Sequence, residues 1–309
     1  MVNRPRTSLG TVQWGMNYGV SNQNGIPTND ELERILRTAM KNSIKHLDTA
    51  RNYGNSEERI GQHIAEHQGM FHITTKVDIP PQVLKSSKRR ISESVRDSIN
   101  SSLEALQVGK IDNVLLHRGY FAIENEMIAW TTLQEIQDAG MIGKIGISAA
   151  NPGEAKLAFE LPGCDVVQVA TSLLDQRLTR SDFFGECQAK GIETVVRSIF
   201  LQGIAFITPE DLSGNLVELR DVLLSIEHFA AEINLTAADI WKTFASDINT
   251  DFLVVGFTND WELQRYLENE NPNIKELIRT FSNQIDLLPE YILDPSRWSG
   301  HESNRLFKH

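Results

Sequence analysis

Four side chains able to exchange or steer protons, Asp48, Tyr53, Lys76 and His117, lie at or just beyond the ends of short β-branched and apolar runs at residues 45–48, 72–76 and 113–117. Taken singly, each has an ordinary explanation: Asp48 as a turn cap, Tyr53 as a rim aromatic, Lys76 as a solvated amine, His117 as a satisfied core histidine. Together, an acid, a phenol, an amine and an imidazole at successive strand ends are hard to explain as packing. Their chemistries are complementary. A phenol with a reference pKa near ~10 is a poor acid at neutral pH, but a neighbouring ammonium stabilises its phenolate and improves it. A carboxylate beside that ammonium holds it charged and oriented where burial would strip its proton. The residue types read as one catalytic cluster, with Tyr53 as proton donor, Lys76 tuning it, Asp48 holding Lys76 and His117 aiming the substrate.

Such a cluster needs a scaffold that brings strand ends together. Strand-like runs occur at residues 7–11, 45–48, 72–76, 113–117, 144–148, 165–170, 193–198 and 251–255. Amphipathic helical stretches separate them, among them 29–42, 56–68, 87–106 and 124–139. Asn29 or Asp30 is placed to cap a helix whose apolar positions Leu32, Ile35, Leu36 and Ala39 keep helical spacing. Gly140 and Gly191 fall where a helix should stop before the next strand. Strand and helix alternating in this way, eight times in one domain, predict an α/β fold of the (β/α)8 TIM-barrel type, in which polar residues at strand C-termini share one mouth. The barrel core is expected over about residues 7–270, with an extra helix at 216–233 after the seventh strand and a C-terminal tail at 271–309.

An open dinucleotide-binding sheet is the rival architecture. It would carry G-x-G-x-x-G directly after an early strand. The chain has no such motif; Gly140, Gly143 and Gly146 precede a strand, and a phosphate-binding G-x-x-x-x-G-K-[ST] is also missing.

The 309 residues are 40% apolar and 23% charged, as expected of a soluble globular protein, and the net charge of -11 argues against a nucleic-acid partner. No run of residues is long and apolar enough for a membrane span, and residues 1–10 lack the apolar core of a secretory signal, so cytoplasmic residence is the expectation. Cys164 and Cys187 read as buried small hydrophobes. The basic run at 85–90 reads as a solvated helix face. His63 and His67 share a helix face, but without H-E-x-x-H or an evident third ligand they predict a surface helix, not a metal site.

The segment D-T-A-x-x-Y-G-x-S-E, from Asp48 through Glu57, closely resembles the signature of the aldo-keto reductase family, and Lys76 and Leu115-Leu116-His117 fall on the corresponding strands. The resemblance implies a barrel that binds a nicotinamide cofactor without a Rossmann fold and reversibly reduces an aldehyde or ketone to an alcohol. Hydride transfer to a carbonyl carbon leaves negative charge on oxygen, which Tyr53 would protonate.

The same resemblance places the cofactor across the barrel mouth. Gly10, Thr11 and Asp48 would lie near its nicotinamide ribose. Ser148 and Gln168 would hold the carboxamide, although Ala149 stands where the family carries Asn. Arg197 stands where an aromatic usually stacks on the nicotinamide. It would either disfavour the oxidised, cationic ring or attract an anionic substrate group. Ser198, Phe200, Leu201 and Gly203 belong to a loop that would wrap the pyrophosphate. Gly256, Phe257 and Thr258 lead into the adenosine site, where Glu262 replaces an Arg that commonly grips the 2′-phosphate. A carboxylate suits a ribose 2′-OH instead, with Arg265 one turn further on. NADPH is therefore the family expectation and NADH the alternative.

Loop aromatics Trp14 and Tyr120, with Met16, Tyr18 and Phe121 nearby, either shape the pocket for the small-molecule carbonyl substrate or pack the loops; with Tyr53 and His117, Trp14 and Tyr120 are the expected substrate contacts. Residues 9–20 resemble family members of bacterial surface-polysaccharide and sugar metabolism, which suggests a sugar-like substrate. Trp298 and Phe307 in the tail are placed to fold over the mouth or to do nothing. Two other functions are compatible with the same residues. One is a cofactor-binding regulatory subunit with little turnover. The other is a Schiff-base aldolase using Lys76, which the adjacent Asp48 disfavours by holding the amine charged.

Overall fold

A computed structural model describes residues 5–65, 69–268 and 274–299. Eight strands, β1 (Arg6–Gly10), β2 (His46–Asp48), β3 (His72–Val77), β4 (Ile111–Leu116), β5 (Ile142–Ala149), β6 (Val166–Ala170), β7 (Glu193–Arg197) and β8 (Phe252–Gly256), form a closed barrel in chain order. Every neighbouring pair is parallel, and β8 closes on β1 through Gly10 opposite Gly256. The chain is thus a single-domain (β/α)8 barrel, as its alternation of strand and helix predicts.

Helices α1 (Asn29–Lys41), α2 (Ser56–Ile64), α3 (Lys88–Leu106), α4 (Glu124–Asp138), α5 (Pro152–Lys156) and α6 (Phe183–Lys190) follow the first six strands in turn. α1 buries Leu32, Ile35, Leu36 and Ala39, all on one stripe, each large aliphatic side chain contributing about 1.5–3 kcal/mol. Its cap is Thr28, whose hydroxyl accepts from the Glu31 N–H at 3.2 Å; the sequence reading placed this boundary one or two residues late. Gly140 (φ 78°) and Gly191 (φ 70°) adopt the left-handed conformation that ends α4 and α6.

Alternation along the strands divides the interior into two parts. Leu9, Leu47, Ile73, Val114, Ile145, Val167 and Val196 face outward into a core shared with the helices. Leu115, Val166, Val195 and Phe252 form a separate cluster inside the barrel. The inward residues of the last strand turns are polar: Asp48, Lys76, Ser148, Gln168 and Arg197. Period-two side-chain geometry therefore delivers them all to one end.

After β7 the chain adds 3-10 turns and α7 (Arg220–Glu232) before α8 (Ala237–Ser246), matching the extra helix expected there; α9 (Asp260–Leu267) and α10 (Lys275–Ser282) follow β8. α7, α8 and α10 share a second core that includes Leu216, Leu223, Ile240, Trp241 and Ile278, and it also takes in Leu201 and Ile204 of the loop after β7. Trp298 joins this core, nearly fully buried, with its indole N–H donating to the Ile292 carbonyl at 2.7 Å. It anchors the tail to the added helices. Phe307 lies outside the described residues. No described helix is long and apolar enough to cross a membrane.

Candidate active site

Asp48 closes β2, Lys76 lies one residue before the end of β3, and His117 follows β4 directly. The Lys76 ammonium, fully buried, donates to Asp48 Oδ1 at 2.6 Å and to the Thr49 carbonyl at 2.8 Å. Asp48 Oδ2 accepts from Gln168 Nε2 at 2.6 Å, so both carboxylate oxygens are occupied. Lys76 Nζ stands 5.1 Å from the centroid of the Tyr53 ring. Tyr53 meets His117 edge-on, with centroids 5.8 Å apart and the planes at 75°. The four predicted residues are brought together at the C-terminal mouth.

The turn carrying Tyr53 is fixed by the rest of its motif. Gly54 has φ 58°, and a Cβ there would lie 2.2 Å from the Gly15 carbonyl oxygen; one on Gly15 would lie 1.8 Å from that of Tyr53. This backbone-to-backbone approach leaves room for glycine alone. The Ser56 hydroxyl donates to the Thr11 carbonyl at 3.0 Å, and the Thr11 hydroxyl donates to the Asp48 carbonyl at 3.0 Å. Glu57, buried, accepts from the Thr75 hydroxyl at 2.6 Å and pairs with Arg51. These residues carry no chemistry of their own; they lock β1, β2 and β3 together beneath Tyr53. The motif quoted from the sequence contains Ser56 and Glu57, but their partners Thr11, Thr75 and Arg51 follow only from the fold.

Burial sets the proton affinities. It pushes the Lys76 amine down, against the pull of Asp48. It holds His117 well below the ordinary histidine value, with the positive charges of Lys76, Arg197 and Arg118 acting the same way, so the imidazole is neutral. His117 Nδ1 is buried without a hydrogen-bond partner among the described residues. Burial also raises Tyr53 far above the ordinary tyrosine range, Asp48 adds to the rise, and the cation acting against it is Arg197. The ammonium expected to tune Tyr53 is itself committed to Asp48 and Thr49. Tyr18 behaves like Tyr53, raised by burial and lowered by Arg197. It is a second phenol within the electrostatic reach of the site, which the sequence offered only as a loop aromatic.

The residues expected to meet a cofactor divide into several groups. Ser148 and Gln168 adjoin in the top layer, Ser148 Oγ lying 3.4 Å from Gln168 Oε1; a hydroxyl beside an amide is a donor and acceptor set that fits a carboxamide. Arg197 reaches across to donate to the Ala149 carbonyl at 2.9 Å and to Ser198 Oγ at 3.4 Å. Ser198, Leu201, Gln202 and Gly203 all have positive φ, so the loop turns tightly, with the Leu201 and Gly203 N–H groups donating to the Ser198 and Phe200 carbonyls at 2.8 and 2.9 Å. Leu201 is buried in the second core, and Phe200 packs on Phe206 at 4.9 Å. Gly203 abuts Ser21, where a Cβ would fall 2.2 Å from Oγ, and Gly256 abuts Gln13 in the same way. Gly10 is required by Val254, 2.9 Å from its ideal Cβ. The donor set thus fits a nicotinamide nucleotide.

The adenosine end is arranged differently from the sequence expectation. Glu262 Oε2 accepts from the Thr258 N–H at 2.7 Å, and Oε1 from the Thr258 hydroxyl at 2.8 Å and Asn259 Nδ2 at 2.9 Å. Arg265 pairs with Glu268 and with Asp239, the latter at 3.3 Å, so it is turned to its own surroundings and does not compensate for Glu262. Phe257 is buried against Tyr266. Asn24, in the loop after β1, donates to Thr258 Oγ1 at 3.0 Å, strapping that loop to the start of α9.

The two loop aromatics expected to meet substrate are placed differently from each other. Trp14 is fully buried, with its indole N–H donating to the Phe257 carbonyl at 3.1 Å, and so anchors the core. Tyr120 is 40% exposed on the rim, edge-on to Phe121 at 4.8 Å, and is not drawn into the tetrad. Both ring nitrogens of His63 lie near backbone carbonyls of Arg59 and Asn29; His67 lies outside the described residues. Among the described residues no group of three or more His, Cys, Asp or Glu is arranged to hold a metal.

Comparison with known proteins points the same way. A sequence model described as the aldo/keto reductase family matches residues 7–275. The chain is 24% identical over 222 residues to the chloroplastic pyridoxal reductase of Arabidopsis thaliana, covering 67% of this chain and 60% of that protein. It is 24% identical over 192 residues to aldo-keto reductase family 1 member C3 of Pongo abelii, covering 56% and 58%. The chain thus spans about 60% of the length of these curated relatives. Among solved structures, the holo form of aldo-keto reductase AKR11C1 from Bacillus halodurans superposes with a TM-score of 0.70 at 18% identity, over 93% of this chain and 95% of that one. Glycerol dehydrogenase AKR11B4 from Gluconobacter oxydans gives 0.68 at 16% identity, over 93% and 94%. At these identities the structural likeness speaks to the barrel fold.

Proposed function

The chain belongs to the aldo/keto reductase family, and from that premise we propose that it is a nicotinamide-dependent oxidoreductase that reduces an aldehyde or ketone to an alcohol, with Tyr53 as general acid. The observation that carries this reading is the buried Lys76–Asp48 pair at 2.6 Å, set beneath Tyr53 and beside a neutral His117.

Bound nicotinamide supplies the hydride; the chain's own residues manage charge and geometry around it. Neutral His117 donates a hydrogen bond to the substrate oxygen and fixes its angle. Tyr53, protonated throughout the neutral range because burial raises it, passes its proton to that oxygen as negative charge develops. The resulting phenolate is stabilised by Arg197, while the Lys76–Asp48 pair fixes the floor of the site beneath it. Ser148 and Gln168 orient the carboxamide, and the loop through Ser198, Phe200, Leu201 and Gly203 holds the phosphates. A sugar or sugar-like carbonyl is the proposed substrate, on the resemblance carried by residues 9–20. Consumption of reduced cofactor against a panel of aldehydes, ketones, aldoses and keto sugars tests the activity. Tight cofactor retention with no turnover of any of them would favour a regulatory subunit instead.

NADPH is the family expectation, and one arrangement favours NADH. Glu262 presents a carboxylate where a 2′-phosphate would need a cation, and Arg265 is held by Asp239 and Glu268. A carboxylate accepts from a ribose 2′-OH and repels a phosphate. Michaelis constants for the two cofactors decide this: a lower value for NADH supports the Glu262 reading, and a strong NADPH preference rejects it.

A further inference from the structure

We propose that Arg197 makes the protein bind the reduced nicotinamide in preference to the oxidised one. This rests on the proposed nicotinamide-dependent activity and goes beyond it, because that activity alone leaves the relative affinity for the two redox forms open.

The mouth carries an uncompensated positive charge. Lys76 is neutralised by Asp48 at 2.6 Å, and His117 and Tyr53 are both neutral at physiological pH. Arg197 has no carboxylate within ion-pair distance among the described residues; its two hydrogen bonds go to the Ala149 carbonyl and the Ser198 hydroxyl. Both acceptors are neutral, so its charge stays in the site. Arg197 ends β7 with its side chain turned inward, at the same barrel mouth as Asp48, Lys76 and His117, and its charge acts on Tyr18, Tyr53, Lys76 and His117.

Reaction geometry puts the nicotinamide within the same reach. The substrate oxygen must sit at hydrogen-bond distance from Tyr53, and the hydride-donating carbon must approach the carbonyl carbon to roughly 3–3.5 Å. A ring so placed lies within a few atoms of Tyr53, and hence inside the field that Arg197 imposes on it. Transfer of a hydride, two electrons and a proton's mass, from the neutral dihydronicotinamide to the carbonyl carbon leaves the ring with one positive charge, while the Tyr53 proton completes the alcohol. Two positive charges in a half-buried, partly water-excluded mouth repel strongly. The field therefore weakens binding of the oxidised form without a matching effect on the reduced form. The oxidised form is therefore released more readily than the reduced one.

The test reads binding, not turnover. The wild type, Arg197→Lys and Arg197→Met are titrated without substrate, by cofactor fluorescence for the reduced forms and by protein fluorescence for the oxidised ones, with NADH/NAD+ and NADPH/NADP+ run in parallel. The expected result is that Arg197→Met narrows the ratio of oxidised to reduced Kd by on the order of tenfold or more, chiefly by tightening the oxidised form, while Arg197→Lys keeps the wild-type ratio. An unchanged ratio in Arg197→Met, or an equal loss of both forms, would overturn the proposal and leave Arg197 a simple contact. A ratio preserved for cofactor together with a rise in KM confined to carboxylate-bearing carbonyls would also overturn it, assigning Arg197 to an anionic substrate. Failure of the folded wild type to bind any of the four nucleotides would instead reject the nicotinamide reading on which the proposal stands.

Discussion

The two ends of the barrel interior are both lined with ionisable groups, yet they are built differently. At the end where the strands begin, the Arg6 guanidinium lies 4.0 Å over the Phe252 ring, His46 stacks on His72 at 5.0 Å, and Lys144 pairs with Glu193 at 2.8 Å. These groups are partly exposed; the His72 side chain is 59% accessible and Lys144 49%. At the end where the strands finish, Lys76 is wholly buried, its carboxylate partner is saturated, and a phenol and a neutral imidazole sit directly above. Charge at a barrel end is ordinary. Charge that is buried, paired and set beneath a phenol is a different arrangement, because its desolvation is costly and must be offset by hydrogen bonds.

The comparison is broken most forcefully at the buried ammonium. Lys76→Met leaves Asp48 ionised and unpaired inside the barrel, and is expected to cost about 3–5 kcal/mol of stability and on the order of 10²–10⁴ in turnover. Lys144→Met, at the exposed end, should change stability by under ~1 kcal/mol and leave turnover alone. Denaturant unfolding and steady-state rates on both variants check the contrast; similar losses would show that the two ends are not distinct.

The glycines give a gentler version. Gly54→Ala drives a Cβ against the Gly15 carbonyl and shifts the Tyr53 turn, and should cut turnover by roughly 10²-fold, as a misplacement near 1 Å does. Gly191→Ala at the opposite end meets nothing within 4 Å and should cost only about 1 kcal/mol, from its left-handed backbone, with activity intact. Equal activity in the two variants would count against the positioning role of the Gly15–Gly54 approach.

The smallest effect is in pH. Burial, with the charges of His72 and Arg6, pulls His46 down to about 4. The unfolded chain therefore binds a proton before the folded chain does, so this contribution is present above pH ~6.5 and is lost as the pH falls toward 4. Solvent screening keeps it on the order of 1 kcal/mol. His46→Phe should flatten the stability difference between pH 4 and 6.5 without touching catalysis. A pH-independent stability gap between variant and wild type would contradict the assignment.

Much of this organisation is legible in the sequence, for identifiable reasons. Alternation of strand and helix patterns exposes the eight strands, and polar residues at successive strand ends expose Asp48, Lys76 and His117, because side-chain period and strand direction are local properties. What was not legible depends on partners distant in sequence. Trp14 has the residue type of a pocket wall, and only the Phe257 carbonyl, far along the chain, makes it a core anchor. Arg265 is one turn from Glu262, but Asp239 in another helix decides where it points. The pull of Arg197 on Tyr53 has the same origin: charges act through space, and Arg197 reaches the phenol from β7, across the barrel from Lys76.

The central claim is that this cluster is a catalytic centre whose proton comes from Tyr53. Turnover and reduced-cofactor affinity measured side by side on Tyr53→Phe test it most directly. The account predicts a Kd close to that of the wild type with turnover reduced by on the order of 10²–10⁴. Turnover near that of the wild type, with the cofactor still bound, would contradict it.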